Sequence, residues 1–250
     1  MSIITKPIHV SQQAGVVSLL LNRPERRNAL SLELLEKLSR ALSTKVGEDT
    51  VAVIISGVDG SFSAGADLAD LSGTLTDLAM DDAIEEVTGK ILELPVPVIA
   101  AIDGPCMGGA FDLALSCDHR IASVDAIFQV PAARLGLLYN PRSVVRMQRR
   151  LGRDTVFRLL VLGERLDADA ALLAGIISSV VEGASYEAAL AIARGTEKNI
   201  VPAMTATKRL LNAIDAPGYD PAEWEALRHE LLSSPERLAA VASEKKRRGR

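Results

Sequence analysis

The chain has 250 residues, of which 48% are apolar and 24% are charged. These fractions are close to the averages for soluble globular proteins, so disorder, collagen and a coiled-coil fibre are excluded as descriptions of the whole chain. The formal net charge is −4, whereas a dedicated nucleic-acid-binding protein is usually basic. We therefore expect a globular protein without a nucleic-acid partner.

Hydrophobic spacing predicts alternating strands and helices up to about Pro141 and mostly helices after it. Ser31 is expected to cap the first helix, which would run to about residue 46. Further helices are predicted over 76–94 and 107–116, and a helical tail over 203–250. Strands are predicted over 8–10, 16–21, 51–56, 98–102, 119–122, 126–130 and 176–181.

The cysteine content indicates an intracellular protein. Cys106 and Cys117 are too few for a secreted disulfide scaffold, and no histidine lies near them at zinc-site spacing. We expect two reduced, buried thiols in a cytoplasmic protein, with no metal and no redox cofactor. Neither the first 13 residues nor the longest mostly apolar run, 170–181, is suited to be a signal peptide or a membrane span, so no membrane association is expected.

A loop of small residues, 63–68 (SAGADL), follows the predicted strand 51–56. Its glycine and alanines would let a ligand approach the backbone closely. By itself, this pattern is more typical of an ordinary glycine-containing turn.

A second loop, 105–112 (PCMGGAFD), follows the predicted strand 98–102 and opens a helix. The first N–H groups of a helix have no internal partner, and the helix dipole adds positive potential there. Gly108 and Gly109 would give a ligand access to these donors. Asp112 lies on the same helical face as Gly109, so its carboxylate is expected beside the donors, unless it only complements the dipole.

Two such loops after neighbouring strands can supply two backbone N–H groups to one developing negative charge. Each donor of this kind is typically worth about 3–4 kcal/mol of transition-state stabilisation. This arrangement suits a reaction through an enolate, with a carboxylate to move a proton.

The ordered set of motifs resembles the enoyl-CoA hydratase/isomerase (crotonase) family over roughly residues 1–215. The matching segments are 21–24 (LNRP), 28–30 (NAL), 62–68 (FSAGADL), 97–104 (PVIAAIDG), 108–114 (GGAFDLA), 117–118 (CD) and 135–136 (LG).

The resemblance implies an α/β fold, a crotonase-like spiral of ββα units over 1–200, with strands in nearly perpendicular sheets. It also implies a C-terminal helical region over 201–250 for capping or trimerisation, in a homotrimer or a dimer of trimers. The substrate would be an acyl-CoA thioester. The N–H groups of Ala66 and Gly109 would form the oxyanion hole. Coenzyme A would be bound by Arg27, Ala29, Ala64, Gly65, Asp67 and Leu68.

The sequence departs from the family pattern at both catalytic glutamates. The first position holds Asp112, which keeps a carboxylate but shortens it by one methylene. The second position holds Ala132, which can neither give nor take a proton. We therefore expect a reaction that needs one carboxylate, such as double-bond isomerisation, rather than standard hydration.

Two alternatives stay open. Around Tyr139 and Asn140 the chain is similar to methylmalonyl-CoA decarboxylases, which also lack the second glutamate, so a malonyl-type thioester could be decarboxylated with help from Tyr139, Arg134 or Arg142. The missing glutamate also fits a catalytically weak acyl-CoA-binding scaffold. The arginines of the basic stretch 142–158 are expected on a solvated or inter-subunit face.

Overall fold

The computed structural model describes residues 6–214 and 219–249. Predictions that concern residues 1–5, 215–218 and Arg250 lie outside this range. The strands are β1 Ile8–Gln13, β2 Val16–Leu21, β3 Ala52–Gly57, β4 Val98–Ile102, β5 Pro105–Met107, β6 His119–Ser123, β7 Ile127–Gln129, β8 Leu166–Asp167 and β9 Ser179–Val181. The helices are α1 Leu32–Lys45, α2 Leu78–Glu93, α3 Gly109–Ser116, α4 Pro141–Leu160, α5 Ala168–Leu173, α6 Ser185–Gly195, α7 Val201–Ile214, α8 Pro221–Leu232 and α9 Pro235–Arg248.

Six strands form one sheet in the order β1-β2-β3-β4-β6-β9. Only β1 and β2 are antiparallel, because they are joined by a tight turn; the other pairs are parallel. Strands β3 and β4 are almost wholly buried, as their continuous apolar sequences predict for strands covered on both faces. On one face Val53 and Ile55 join the main core, and on the other Ala52 and Ile54 pack in a smaller core that includes Ala189 and Ala193 of α6.

A second sheet of three short strands has the order β5-β7-β8. The chain enters the large sheet with β4 or β6, passes to the small sheet with β5 or β7, and then forms a helix, α3 or α4. This alternation confirms the expected α/β fold built from ββα units. The sequence patterns did not predict β5 and β8, because strands of three and two residues carry too little periodicity.

Helix α1 illustrates how local sequence sets an element. The Ser31 side chain accepts a hydrogen bond from the Leu34 N–H (3.2 Å), which confirms the predicted cap. Leu34, Leu35 and Leu38 are buried, so one helical face is anchored in the core. Cys106 and Cys117 are both buried and free, as predicted.

The chain divides into two compact units, one ending at Thr196 and one beginning at Glu197. The second unit consists of α7, α8 and α9 in the part that the structure describes. Asp220 and Ser234 cap α8 and α9 with their side chains, and each of these helices has proline in its first turn. A capping or trimerisation role for 201–250 stays a prediction. Within residues 6–214 and 219–249, none of the helices combines the length and the apolar character needed to cross a membrane.

Candidate active site

The two loops singled out in the sequence lie side by side. Ser63 and Cys106 form a parallel bridge, in which the Ser63 N–H donates to the Pro105 carbonyl (2.9 Å) and the Met107 N–H donates to the Ser63 carbonyl (3.1 Å). Ala66 and Gly109 each lie three residues beyond this bridge on their own segment. The pairing of the loops therefore brings the two expected donors to the same region.

The backbone around Ala66 is held on one side by Leu30. The Leu30 N–H donates to the Gly65 carbonyl (2.8 Å), and the Asp67 N–H donates to the Leu30 carbonyl (2.9 Å). Because successive peptide groups of an extended segment point in opposite directions, the N–H of Ala66 points away from Leu30. It has no acceptor among the described residues, so it is available to a ligand.

Gly109 is the first residue of α3, and its N–H likewise has no acceptor in the part of the chain that the structure describes. The preceding Gly108 has φ +52°, a left-handed conformation that favours glycine. A Cβ on Gly109 would approach Ile84 Cδ1 to 2.5 Å, so the absence of a side chain there lets α2 pack directly against the turn. The turn therefore presents a helix N-terminus with a free donor.

The Asp112 side chain is fully buried and faces α4. Its Oδ2 accepts a hydrogen bond from the Ser143 hydroxyl (2.5 Å) and pairs with Arg146 Nη2 (2.9 Å). Burial raises the pKa of Asp112 above its ordinary value, while the Arg146 charge and the Ser143 hydrogen bond oppose this shift. Arg146 also pairs with Glu85 of α2 (3.2 Å), so it lies between two carboxylates.

The interpretation of the basic stretch 142–158 as a solvated or inter-subunit face is therefore wrong for its inner arginines. Besides the Arg146 pairs, Arg150 donates to the carbonyl oxygens of Leu115 and Cys117 at the end of α3. Sequence reasoning missed this role because helical spacing does not show which cation meets a buried carboxylate. The signal was the single buried acid on α3, which needs a cationic partner.

Tyr139 lies beside the donor turn, because its hydroxyl donates to the Gly108 carbonyl (3.1 Å). Burial raises the pKa of Tyr139 well above its ordinary value, and the negative charges of Asp112 and Asp81 add to this shift. The group is therefore a neutral phenol. Arg134, an alternative partner for a substrate carboxylate, instead donates to the Gly163 carbonyl (3.3 Å).

An apolar pocket of about 280 Å³ borders Tyr139. The buried Ala132, where the family resemblance leads us to expect the second glutamate, forms part of its wall, so the wall there presents a methyl group. The pocket suits an apolar acyl chain. Other lining residues include Leu137, Leu138, Phe157 and Val161.

Asp81 is a titratable residue near this site that the sequence analysis did not single out. It lies in the first turn of α2, where its side chain is half-buried. Burial, then the charges of Asp82 and Asp112, raise the pKa of Asp81 above its ordinary value. No motif marks it, because its distance from Asp112 depends on the packing of α2 against α3.

Three of the six expected coenzyme A contacts are accessible. The side chains of Arg27 and Ala64 are exposed, and Leu68 is 71% exposed. Arg27 and Ala64 are adjacent, since the Ala64 N–H donates to the Arg27 carbonyl (2.9 Å). Arg27 therefore offers a free cation beside the loop 63–68.

The other three expected contacts, Gly65, Asp67 and Ala29, are buried. Gly65, at φ +90°, is packed so that a Cβ would lie 2.7 Å from the Met107 carbonyl oxygen. Ala29 directs its carbonyl to Arg23 (2.6 Å), and Arg23 also pairs with Asp67 (2.8 Å). Although burial opposes the shift, hydrogen bonds from Arg23 and from a backbone N–H lower the pKa of Asp67. These three residues shape the loop, and any contribution of Asp67 to binding would come from its backbone.

Comparison with known proteins identifies the family of this chain. The profile of the enoyl-CoA hydratase/isomerase family matches residues 11–231, and the chain belongs to that family. It is 35% identical over 210 residues to the probable enoyl-CoA hydratase echA6 of Mycobacterium leprae, covering 82% of both chains. It is 33% identical over 201 residues to the mitochondrial Delta(3,5)-Delta(2,4)-dienoyl-CoA isomerase of Mus musculus, covering 73% of this chain and 61% of that protein.

The fold has a close counterpart among solved structures. An enoyl-CoA hydratase/carnithine racemase from Magnetospirillum magneticum superposes with a TM-score of 0.90 at 26% identity, covering 97% of this chain and 94% of that one. The chain is therefore a member of an enzyme family, the enoyl-CoA hydratases and isomerases.

Proposed function

We propose that this protein isomerises the double bond of an enoyl-CoA thioester through an enolate. The observation that carries this proposal is the pair of acceptor-free N–H groups of Ala66 and Gly109 on bridged loops. They would bind the thioester oxygen, whose negative charge develops when a proton leaves C2. Two donors at about 3–4 kcal/mol each would account for a large part of the rate enhancement.

Isomerisation fits this chain better than hydration, because it needs one catalytic carboxylate and the chain offers Asp112 but has alanine at position 132. Asp112 holds the position of one family glutamate, and we propose that it removes the C2 proton of a 3-enoyl-CoA. The electron pair moves to the thioester oxygen as a dienolate, and a proton added at C4 gives the 2-enoyl-CoA. Arg146 would keep Glu85 as its partner when Asp112 becomes protonated, so proton uptake would not leave an isolated cation.

The Ala132 methyl group and the bordering pocket support an apolar acyl chain rather than a bound water at this position. Arg27 would attract the phosphates of coenzyme A from the exposed side of the loop 63–68. Coenzyme A enters as part of the substrate, and the reaction needs no separate cofactor.

We further propose that the chain assembles as a homotrimer or a dimer of trimers. Leu138 is 86% exposed, and Leu137, Phe157 and Val161 beside it are also exposed, which is unusual for an apolar cluster on a monomer. Sedimentation at low micromolar concentration tests this, since a monomer would contradict it. A cytoplasmic location remains a prediction.

The first experiment is mass spectrometry and chromatography of 2-enoyl, 3-enoyl, 3-hydroxyacyl and malonyl-type CoA esters incubated with the pure protein. A 3-enoyl ester that changes retention without changing mass supports isomerisation. Gain or loss of water would instead show hydratase chemistry, and loss of CO2 would show decarboxylation. Binding without any conversion would show the acyl-CoA-binding scaffold.

A further inference from the structure

The apolar pocket that borders Tyr139 is lined by both halves of α4. The helix is interrupted at Gly152, whose φ of +77° and ψ of 161° are not helical. Val144 lines the pocket from the first half of the helix, and Phe157 lines it from the second half. The pocket therefore extends along α4, away from the loop that holds Tyr139.

The two ends of this pocket differ in polarity. At one end Tyr139 adjoins the donor turn, since its hydroxyl donates to the Gly108 carbonyl (3.1 Å). Asn140 caps α4, so the helix begins beside Tyr139, and Gln148 lies about 12 Å further along its axis. Arg153 is the first residue after the kink. Gln148 and Arg153 both line the pocket and are exposed, so this end opens to solvent.

Arg153 is the single charged residue among the described residues that line the pocket. Elsewhere on α4, Arg146 and Arg158 each pair with carboxylates of the protein. The guanidinium of Arg153 has no hydrogen bond or ion pair in the part of the chain that the structure describes, and the same holds for the side-chain amide of Gln148. An apolar pocket thus ends at an unpaired cation and a free amide donor.

The geometry points to a substrate whose acyl chain ends in a second carboxylate, which Arg153 binds with help from Gln148. The substrate class is then a dicarboxylic acid joined to coenzyme A at one end. This assignment rests on the acyl-chain pocket of the proposed function and adds the chemistry of the far end of the chain. Arg153 determines specificity and does not touch the reacting atoms.

The chemistry of the guanidinium explains the selectivity. Its planar fork of N–H donors matches the two oxygens of a carboxylate. A chain of the same length that ends in a methyl group displaces water from the cation and returns no hydrogen bond, which costs free energy. A terminal carboxylate replaces that water with charge-assisted hydrogen bonds. The apolar walls accept the methylenes of both chains, so the pocket distinguishes them by their ends.

Equilibrium binding tests this without any turnover. The probes are saturated acyl-CoA esters, which cannot isomerise, in two series of increasing length, one ending in methyl and one in carboxylate. At the length that reaches Arg153, calorimetric titration should show roughly tenfold tighter binding of the carboxylate-ended ester, the value of one hydrogen bond to a charged group. The preference should shrink at high salt, because Arg153 is exposed. Equal Kd values at every length would overturn the assignment.

Substitution provides the matched control. Arg153→Met keeps an apolar stem and should abolish the preference by weakening only the carboxylate-ended ester, while Arg153→Lys should keep part of it. Arg149→Met removes the same charge from an exposed arginine of α4 that does not line the pocket, and should change the ratio of Kd values less than about twofold. Equal melting temperatures would show that the variants are folded. A preference that survives Arg153→Met, or that Arg149→Met abolishes equally, would show that general attraction to basic residues is responsible.

Kinetics with 3-enoyl esters of both series separates this assignment from the proposed function. Arg153→Met should raise KM for the carboxylate-ended ester and leave kcat nearly unchanged, because the contact is the same in the ground state and the transition state. If the wild-type protein isomerises both series but binds them equally, the assignment of Arg153 is wrong and the proposed function stands. If it prefers the carboxylate-ended esters but converts none, the proposed isomerisation is wrong and the selectivity of the pocket stands.

Discussion

The Tyr139 hydroxyl donates a 3.1 Å hydrogen bond to the carbonyl of Gly108, the residue immediately before the proposed donor Gly109. The phenol therefore supports the turn that carries the oxyanion donor. This contact explains how Tyr139 can matter for an isomerase without taking part in proton transfer.

Replacing Tyr139 with phenylalanine should have a modest effect on isomerisation. The lost hydrogen bond is worth about 1 kcal/mol, so kcat should fall roughly fivefold by the relation between barrier and rate. Steady-state kinetics with a 3-enoyl ester measures this. A far larger loss, confined to a malonyl-type ester, would instead support the decarboxylase alternative.

Arg146→Met should destabilise the protein strongly, because it leaves the Asp112 carboxylate buried without its cation. Loss of one partner of a buried pair lowers the free energy of unfolding by about 3–5 kcal/mol. The double variant Arg146→Met/Asp112→Asn should recover much of this loss, since no unpaired charge remains at the fully buried position 112 and the other partner of Arg146, Glu85, is partly exposed. Urea unfolding of both variants checks the prediction, which fails if the double variant is as unstable as the single one.

Gly109→Ala should lower both stability and activity through a single clash. The new Cβ would lie 2.5 Å from Ile84 Cδ1, and its next neighbours are at 3.5 Å and 3.7 Å. Ile84→Val removes the clashing methyl group, so the pair Gly109→Ala/Ile84→Val should regain stability. Thermal unfolding and kcat of the three variants test this. If the double variant is no more stable than Gly109→Ala, the loss comes from the altered start of α3 and not from the clash.

Asp67→Asn should reduce stability in a pH-dependent way. The pKa of Asp67 is lower in the folded protein, so its ion pair with Arg23 stabilises the fold above the unfolded pKa of about 3.9. This stabilisation, about 1.5–3 kcal/mol for a charged hydrogen bond, is lost as the pH falls through the folded pKa. Unfolding free energies of wild type and variant should differ at pH 7 and converge below pH ~4; a constant difference would contradict the prediction.

Much of the fold could be predicted because its elements carry strong local signals. The buried strand β4 is continuously apolar, and Ser31 is a serine directly before an amphipathic helix. The donor loops were found for a similar reason, since both place small residues after a buried strand. The backbone donors depend on the local conformation of each loop, and residues close to the loop in the sequence determine that conformation.

The electrostatic partners could not be predicted, because they join residues far apart in the chain. Arg146 meets Asp112 across 34 positions, and nothing in the spacing of the arginines distinguishes it from Arg142. Arg146 also meets Glu85 across 61 positions, and only the packing of α2 on α4 brings these two residues together. Such contacts follow from the tertiary packing, and sequence periodicity does not contain them.

The bridge between Ser63 and Cys106 has a consequence for the energetics of the reaction. Both donors are attached to backbone that is already hydrogen-bonded before a substrate arrives, so they are preorganised. Little reorganisation energy is then spent when charge appears on the thioester oxygen, unlike in water, where dipoles must turn to meet it. The rate enhancement that comes from these two amides should therefore depend more on the bridged backbone than on any one of the surrounding side chains.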